Sequence, residues 1–314
     1  MKVLVIQQRY GIGDMLIFLP YLKALAEKNN VKISLLAKKT ARSSELFKAE
    51  NFLDEIIDLD STNDGISGFF KLSKEIKRRK FDKVYIFNGS IRYKLLAIFA
   101  GIKGIYQYPL FTSKDIIFQT AKVFTETYVG KVLSTEPHLS IKEDDVIKAK
   151  KSYNIDEQTK NIILGVSASG STKRWDVENF IKLAVELKRF KNCKFFIAAG
   201  QEDFKIIDKI KNSEISSDCI SLDHLKIAKI LPIIKNCNLC VSCDTSFMHL
   251  GAALGIKTIG IFTDSPAYAY SGYSKNIYPI VPEGETVEST THDTLGKDNI
   301  SFEKVLKKAK SFLV

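Results

Sequence analysis

Three short stretches of this 314-residue chain combine residue types and spacings that could do chemistry. The first is Arg9-Tyr10-Gly11-Ile12-Gly13-Asp14, which follows an apolar run and precedes a helical pattern. Gly11 and Gly13 permit a tight turn and a close backbone approach, which makes their amides candidates for contact with an acceptor substrate. Asp14 falls near a helix N-terminus, where the dipole favours an ionised carboxylate. A carboxylate so placed can take a proton from an attacking hydroxyl. The same residue could be a plain N-terminal cap. The spacing is not a full dinucleotide-binding fingerprint, because Met15 to Phe18 supplies no third glycine.

The second stretch is Ser167-Ala168-Ser169-Gly170-Ser171-Thr172-Lys173-Arg174-Trp175. Hydroxyls and a glycine come first, then two cations, then a helix. Exposed amides, the Ser169 and Thr172 hydroxyls and the Lys173–Arg174 pair make a cradle for a diphosphate. The plainer alternative is a serine-rich loop with a solvated basic pair. Trp175 reads as a packing residue. The third stretch runs Cys243-Asp244-Thr245-Ser246-Phe247-Met248-His249-Leu250-Gly251-Ala252-Ala253. Asp244 and Thr245 fall at the carboxyl end of a buried strand, where open α/β sheets bind ligands. The first-turn amides after Thr245 can hold a phosphate. His249 lies one turn on, on the Thr245–Ser246 side, and is either a core residue or a site residue.

Cys237, Cys240 and Cys243 share a spacing that could suggest a metal or iron–sulfur site. Their placement opposes it. Strand alternation sends Cys240 to the face opposite the other two, and no fourth ligand is evident, so they read as buried thiols.

These stretches need a scaffold. Apolar runs at 2–8, 32–37, 55–59, 83–87 and 104–108 read as strands, with helices at 15–28, 68–79 and 92–100. A second series follows. Its strands fall at 162–167, 194–199, 219–221, 239–242 and 258–262, and its helices at 177–190, 203–211, 227–236 and 247–254. Continuous Val/Ile/Leu strands alternating with helices indicate parallel sheets covered on both faces. The polar stretch 152–161 reads as a linker, and 302–312 as a short amphipathic helix with a basic face. The expectation is an α/β chain of two doubly wound Rossmann-like domains facing across a cleft. The boundaries are 1–155 and 156–300 for the two domains and 301–314 for a closing helix.

Length and composition agree with two globular domains: 45% of residues are hydrophobic and 26% charged. No run of about 18 apolar residues suggests a membrane span, and the start lacks the pattern of a signal peptide. A cytoplasmic protein with free cysteines is the expectation. Net charge is +9 over residues 1–155 and +2 over the remainder. Such a bias suits an anionic partner near the first half, or serves solubility alone. The aromatic-basic interleaving of a nucleic-acid platform is missing there.

Taken in order, the three motifs resemble glycosyltransferase family 9, the ADP-heptose:lipopolysaccharide heptosyltransferases. Gly-Ile-Gly-Asp before Met-Leu-Ile-Phe-Leu-Pro resembles that family's Gly-Asp-x-x-x-x-x-Pro start. Ser169 to Trp175 resembles its Lys-Arg-Trp loop. Asp244 to His249, followed by Gly-Ala-Ala-Leu-Gly, resembles its Asp-Thr-Gly-x-x-His-x-Ala-Ala signature. The resemblance covers roughly residues 1–265. It implies the GT-B fold, with 1–155 as acceptor-binding domain, 156–300 as donor-binding domain and a terminal helix, 301–314, that returns to the first domain. It also implies inverting transfer from a nucleoside-diphosphate sugar with no metal and no cofactor. Asp14 would be the base, and Lys173 and Arg174 would hold the diphosphate. Asp244, Thr245 and Ser246 would meet the donor's sugar and phosphates beside His249. Gln201 and Glu202 match a loop that approaches the nucleoside. Two departures adjoin the donor site. Ser246 stands where the family has glycine, and Thr263-Asp264-Ser265-Pro266 where Gly-Pro-Thr-x-Pro is common.

The implied partners are a nucleotide sugar such as ADP-heptose and an anionic glycan or glycolipid acceptor, with peripheral contact at the cytosolic membrane face and no nucleic acid. A nucleotide-sugar epimerase on the same scaffold, or a non-catalytic nucleotide-binding protein, are the alternatives.

Overall fold

A computed structural model describes residues 1–109 and 116–314, apart from the side chain of Gln201. The chain divides into two compact units, Met1–Leu139 and Ser140–Val314. The first contains β1 (Val3–Gln7), α1 (Ile12–Asn29), β2 (Ile33–Lys38), α2 (Ser43–Leu46), β3 (Leu53–Leu59), α3 (Gly65–Arg79), β4 (Lys83–Ile86), α4 (Ile91–Phe99), β5 (Gly104–Gln107) and α5 (Ile117–Val129). Its strands form one parallel sheet in the order β3-β2-β1-β4-β5. The central strand β1 is buried throughout, as its unbroken Val-Leu-Val-Ile run requires. Leu4, Ile6, Val84 and Ile86 face the core under α3 and α4.

The second unit contains α6 (Glu143–Ser152), β6 (Lys160–Gly165), α7 (Val177–Phe190), β7 (Cys193–Ala198), α8 (Phe204–Lys211), β8 (Cys219–Ser221), α9 (Ile227–Lys235), β9 (Leu239–Cys243), α10 (Ser246–Ala253), β10 (Lys257–Ile261), α11 (Ala267–Ser271), β11 (Ile277–Ile280) and α12 (Phe302–Leu313). Its parallel sheet runs β11-β10-β9-β6-β7-β8. Counted within the unit this is the Rossmann order 3-2-1-4-5-6. Strand order reverses between β1 and β4 in the first sheet and between β6 and β9 in the second. Each reversal opens a crevice at the carboxyl ends of those strands.

Every strand expected from the sequence is present, with ends displaced by at most two residues. Three expectations about organisation change. Residues 153–159, expected to link the domains, form a loop inside the second unit. Ile155 anchors it in the interior, and Asp156 accepts from the Gln158 and Thr159 amides at 2.9 and 2.7 Å. The helix before it, α6, already packs on α9, where Asn236 donates to the Val146 carbonyl at 3.0 Å. The closing helix α12 was expected to return to the first domain. Its apolar stripe instead enters the second core through Val305, Ala309 and Leu313, and Phe302 stacks on Trp175 at 6.2 Å. Finally, β11 and the helices α2, α5, α6 and α11 had no counterpart in the sequence reading.

At the second reversal, Gly165 lies opposite Ser242 in the pairing of β6 with β9. A Cβ on Gly165 would come within 2.1 Å of the Ser242 hydroxyl and 2.6 Å of its Cβ. The two strands therefore keep their spacing only with glycine there. Gly165→Ala should lower unfolding stability by about 1–3 kcal/mol, the usual cost of forcing extra carbon into a packed site. Adding Ser242→Gly should recover most of that loss, as measured by chemical denaturation. Equal stability of the single and double variants would mean the contact does not set the spacing.

Candidate active site

The first unit holds Asp14 in a cavity of about 340 Å³, lined among others by Arg9, Tyr10, Phe18, Phe87, Asn88 and Tyr108. These residues follow β1, β4 and β5 or face them from α1, so the cavity occupies the first strand-order reversal. Asp14 is the third residue of α1. One carboxylate oxygen accepts the Gly11 amide at 3.2 Å, and the other lies 3.6 Å from the Arg9 guanidinium. Burial pushes the Asp14 carboxyl above its ordinary range, and the Arg9 charge and the Gly11 amide only partly oppose that. The helix-dipole argument alone suggested a carboxylate held firmly ionised; desolvation outweighs it. Gly11 caps α1 at φ −93°, and its amide is committed to Asp14. Gly13 is buried inside α1. Their backbones shape the turn beneath Asp14.

In the second unit, the loop after β6 and the turn after β9 flank the other reversal. Ser169 and Thr172 are exposed, and Lys173 is half-buried. Arg174 turns inward: its guanidinium meets Asp203 at 3.0 Å and the Ala168 carbonyl at 3.4 Å. Trp175 is buried and donates its amide to the Cys243 sulfur at 3.4 Å, pinning the loop to the end of β9. The Thr263 hydroxyl donates to the Thr172 carbonyl at 2.7 Å, which ties the same loop to the end of β10. Lys173 and Arg174 are thus unlike. Arg174 braces the loop, and Lys173 is the cation of the pair without an ion pair of its own among the described residues. Gln201 opens a 3-10 turn, Gln201–Asp203, but its side chain lies outside the described residues. Glu202 is exposed, its carboxylate folded over Gly200.

Thr245 is the cap residue of α10 in extended conformation, so the first-turn amides of that helix open toward the crevice. Its hydroxyl lies 3.2 Å from the Ser242 hydroxyl. Asp244, Thr245 and Ser246 are half-buried. His249 is buried, and burial pushes its pKa down to about 4. Its Nδ1 lies 2.7 Å from the Tyr273 hydroxyl, the rings are stacked at 5.7 Å, and its Nε2 lies 3.9 Å from Asp244. A neutral imidazole makes that last contact a polar one, not an ion pair. With the tyrosine hydroxyl donating to Nδ1, the ring proton sits on Nε2, on the side of Asp244.

Four contributors were assigned no role from the sequence: Arg9 beside Asp14, Asp203 under Arg174, Tyr273 against His249, and Asp264. The last is buried. Burial pushes its carboxyl up, but the Leu295 amide, the Thr172 hydroxyl, Lys173 and His292 together hold it below its ordinary value. Only its position beyond a strand's carboxyl end, in the stretch that departs from the resembled family, could have pointed to it.

Cys237, Cys240 and Cys243 are buried free thiols. Cys243 belongs to the core under α7, whereas Cys240 borders Gly251 of α10 on the opposite face. Among the described residues, no group of three or more His, Cys, Asp or Glu side chains could hold a metal ion.

The sequence profile of glycosyltransferase family 9 (heptosyltransferase) matches residues 69–297, most of the chain. The protein belongs to glycosyltransferase family 9. Its pair of Rossmann-like units is that of the GT-B type, and its activity class is glycosyl transfer. The fold is similar to that of Escherichia coli ADP-heptose lps heptosyltransferase II, with a TM-score of 0.80 at 18% identity over 100% of this chain and 98% of that one. A family 9 glycosyl transferase from Veillonella parvula gives 0.80 at 18% identity, covering 99% and 97%. Heptosyltransferase WaaC of E. coli, determined with ADP, gives 0.72 at 12% identity, covering 99% and 100%. No curated protein sequence is significantly similar to the chain.

The Asp14 environment predicts how a family 9 reaction here should respond to pH. A raised carboxyl pKa means Asp14 protonates at higher pH than an ordinary aspartate. If Asp14 serves as a base it must be deprotonated, and kcat/KM for the acceptor should then fall on acidification with a midpoint above 3.8, the ordinary aspartate value. Arg9→Ala removes the guanidinium that lowers the pKa and should move the midpoint further up. A midpoint that stays put in Arg9→Ala would separate Asp14 from the titration.

Proposed function

We propose that this transferase is inverting and metal-independent. It moves a heptose or related sugar from a nucleoside-diphosphate sugar, such as ADP-heptose, to an anionic glycan. A lipopolysaccharide-core glycolipid at the cytosolic membrane face fits that description. The observation that carries the reading is the half-buried Asp14, a carboxyl of raised pKa in a cavity at the first strand-order reversal. A carboxylate made more basic than an ordinary aspartate is suited to general-base work.

In the proposed reaction, Asp14 accepts the proton of an acceptor hydroxyl while that oxygen bonds to the donor's anomeric carbon. The bond from that carbon to the diphosphate oxygen breaks, and the nucleoside diphosphate leaves with the electron pair. Attack opposite the leaving group inverts the centre. Charge growing on the diphosphate meets Lys173 and the first-turn amides of α10, with the Ser169 and Thr172 hydroxyls completing the cradle. Such groups can supply the positive field that a bound metal would otherwise supply. Asp244, beside His249, and Thr245 would meet sugar hydroxyls, with Ser246 at the phosphates. The loop of Gln201 and Glu202 takes the nucleoside. Arg174 acts by bracing this loop through Asp203.

Asp14→Asn should lower turnover by about 100-fold or more with donor binding near normal. Near-wild-type turnover would remove Asp14 as the base. Release of altered sugar without an acceptor would mark an epimerase instead.

Lys173→Ala should weaken a nucleoside diphosphate far more than the bare nucleoside, as calorimetry with both ligands would read. Equal losses would exclude a phosphate contact. Transfer should also persist in excess EDTA, and its loss with recovery on adding magnesium would overturn the metal-free reading.

A further inference from the structure

Six large apolar side chains stand in solvent on α3 and α4. Ile66 is 79% exposed and Phe70 54%; Ile91, Ile98 and Phe99 are each 53% exposed and Leu95 39%. They form one surface. The Phe70 and Phe99 rings lie 5.9 Å apart, and both rings meet Phe69, at 5.4 and 5.7 Å. Positions 91, 95 and 98 share one face of α4, and 66 and 70 share one face of α3. Single exposed apolar residues are ordinary, but a contiguous patch marks a contact surface.

The charges around the patch are almost all of one sign. The sequence Gly65–Arg79 carries five cations and Ile91–Phe99 two, against one carboxylate, Glu75. That carboxylate is paired with Arg79 at 3.1 Å. Lys71, Lys74, Lys77, Arg78 and Lys94 are exposed. Along α3 the apolar line 66–70 continues into Lys74 and Lys77 at helical spacing, so long stems can lie on the patch while ammonium groups reach outward. Two copies meeting through this face would set like charges against each other. An anionic surface would not.

We infer that the α3–α4 face seats on an anionic lipid bilayer, with the aromatic and aliphatic side chains in the headgroup region and the lysines on lipid phosphates. The placement within the first unit suits this role. Ile66 and Ile91 occupy the first turns of α3 and α4, which follow the carboxyl ends of β3 and β4. Arg92 joins those turns by donating to the Asn63 carbonyl at 2.6 Å. Phe87, Asn88 and Gly89, which line the Asp14 cavity, lead directly into α4. A glycan rising from the bilayer would therefore meet the strand-end edge that holds Asp14. The inference rests on the proposed reading in one respect, that the acceptor is carried by a lipid.

The test is sedimentation of the full chain with vesicles of phosphatidylcholine alone or mixed with phosphatidylglycerol. The probes are a triple variant, Phe70→Ser, Ile98→Ser and Phe99→Ser, and a double variant, Lys74→Glu and Lys94→Glu. Wild type should pellet with mixed vesicles and stay in solution with phosphatidylcholine. The triple variant should lose binding at every salt concentration. The double variant should bind about tenfold more weakly, with a difference that narrows as salt rises. Both variants should keep their melting temperature and their transfer rate to a water-soluble acceptor; if the triple variant melts early, Phe70→Ser alone and the charge variant decide. Wild type remaining in solution with mixed vesicles would overturn the inference, as would a triple variant that binds like wild type. A dimer that the triple variant dissolves, without vesicle binding, would assign the face to a second copy. Vesicle binding without transfer to any acceptor would remove the proposed function and leave the surface standing.

Discussion

Right-handed crossovers force the loops after β6 and β9 to part, and the second unit's candidate site hangs from that divergence. β7 lies on one side of β6 and β10 on the other side of β9. A right-handed connection then puts α7 on one face of the sheet and α10 on the other. The loop that leads to α7 and the turn that leads to α10 leave from adjacent strand ends in opposite directions. The gap between them is lined by hydroxyls, Lys173 and helix amides. Gly165 matters because it lets β6 and β9 sit side by side at that point, with the Ser242 side chain over its Cα.

Two cross-strand ties convert the gap into a fixed shape. The Trp175 amide on the Cys243 sulfur and the Thr263 hydroxyl on the Thr172 carbonyl hold one loop to two other strand ends. Arg174 adds a third tie through Asp203, whose side chain is only 9% exposed. Removing either partner of a guanidinium paired with a shielded carboxylate costs more than breaking a surface pair, whose worth is about 0–1 kcal/mol, because it strands a shielded charge. This is why neighbouring cations, alike in sequence, divide into a brace, Arg174, and a lysine that makes no ion pair among the described residues.

That division also shows what local sequence can and cannot carry. Strand positions were legible because buried parallel strands are unbroken apolar runs, and Val3–Gln7 and Leu239–Cys243 could be little else. The place of Asp14 at a strand-to-helix turn was legible from the glycines around it, but its role was not, because a plain helix cap reads the same. Arg174 with Asp203, and His249 with Tyr273, were not, because their partners come from other loops and no periodicity links them. β11 escaped because Ile-Tyr-Pro-Ile is short and carries a proline, which an edge strand tolerates. The domain boundary was misplaced because polarity marks a loop, and a loop can lie within a unit as well as between two. Ile155 was the contrary signal, an apolar residue that a free linker would not need.

Asp14 shows how magnitudes decide between two arguments that both begin from its position. A helix N-terminus favours a carboxylate by about 0.3–1 kcal/mol. Since one pKa unit corresponds to about 1.36 kcal/mol, that effect alone lowers the pKa by less than a unit. Desolvation in a cavity walled by Phe18, Phe87 and Tyr108 acts the other way and is larger, so the net shift is upward even with Arg9 at 3.6 Å. The result is a compromise. Burial makes the carboxylate more basic than a hydrated aspartate, and Arg9 and the Gly11 amide limit that rise. The same two groups also aim the carboxylate, because each engages a different oxygen. The turn that the sequence writes as Arg-Tyr-Gly-Ile-Gly-Asp therefore sets both the basicity of the group and its direction.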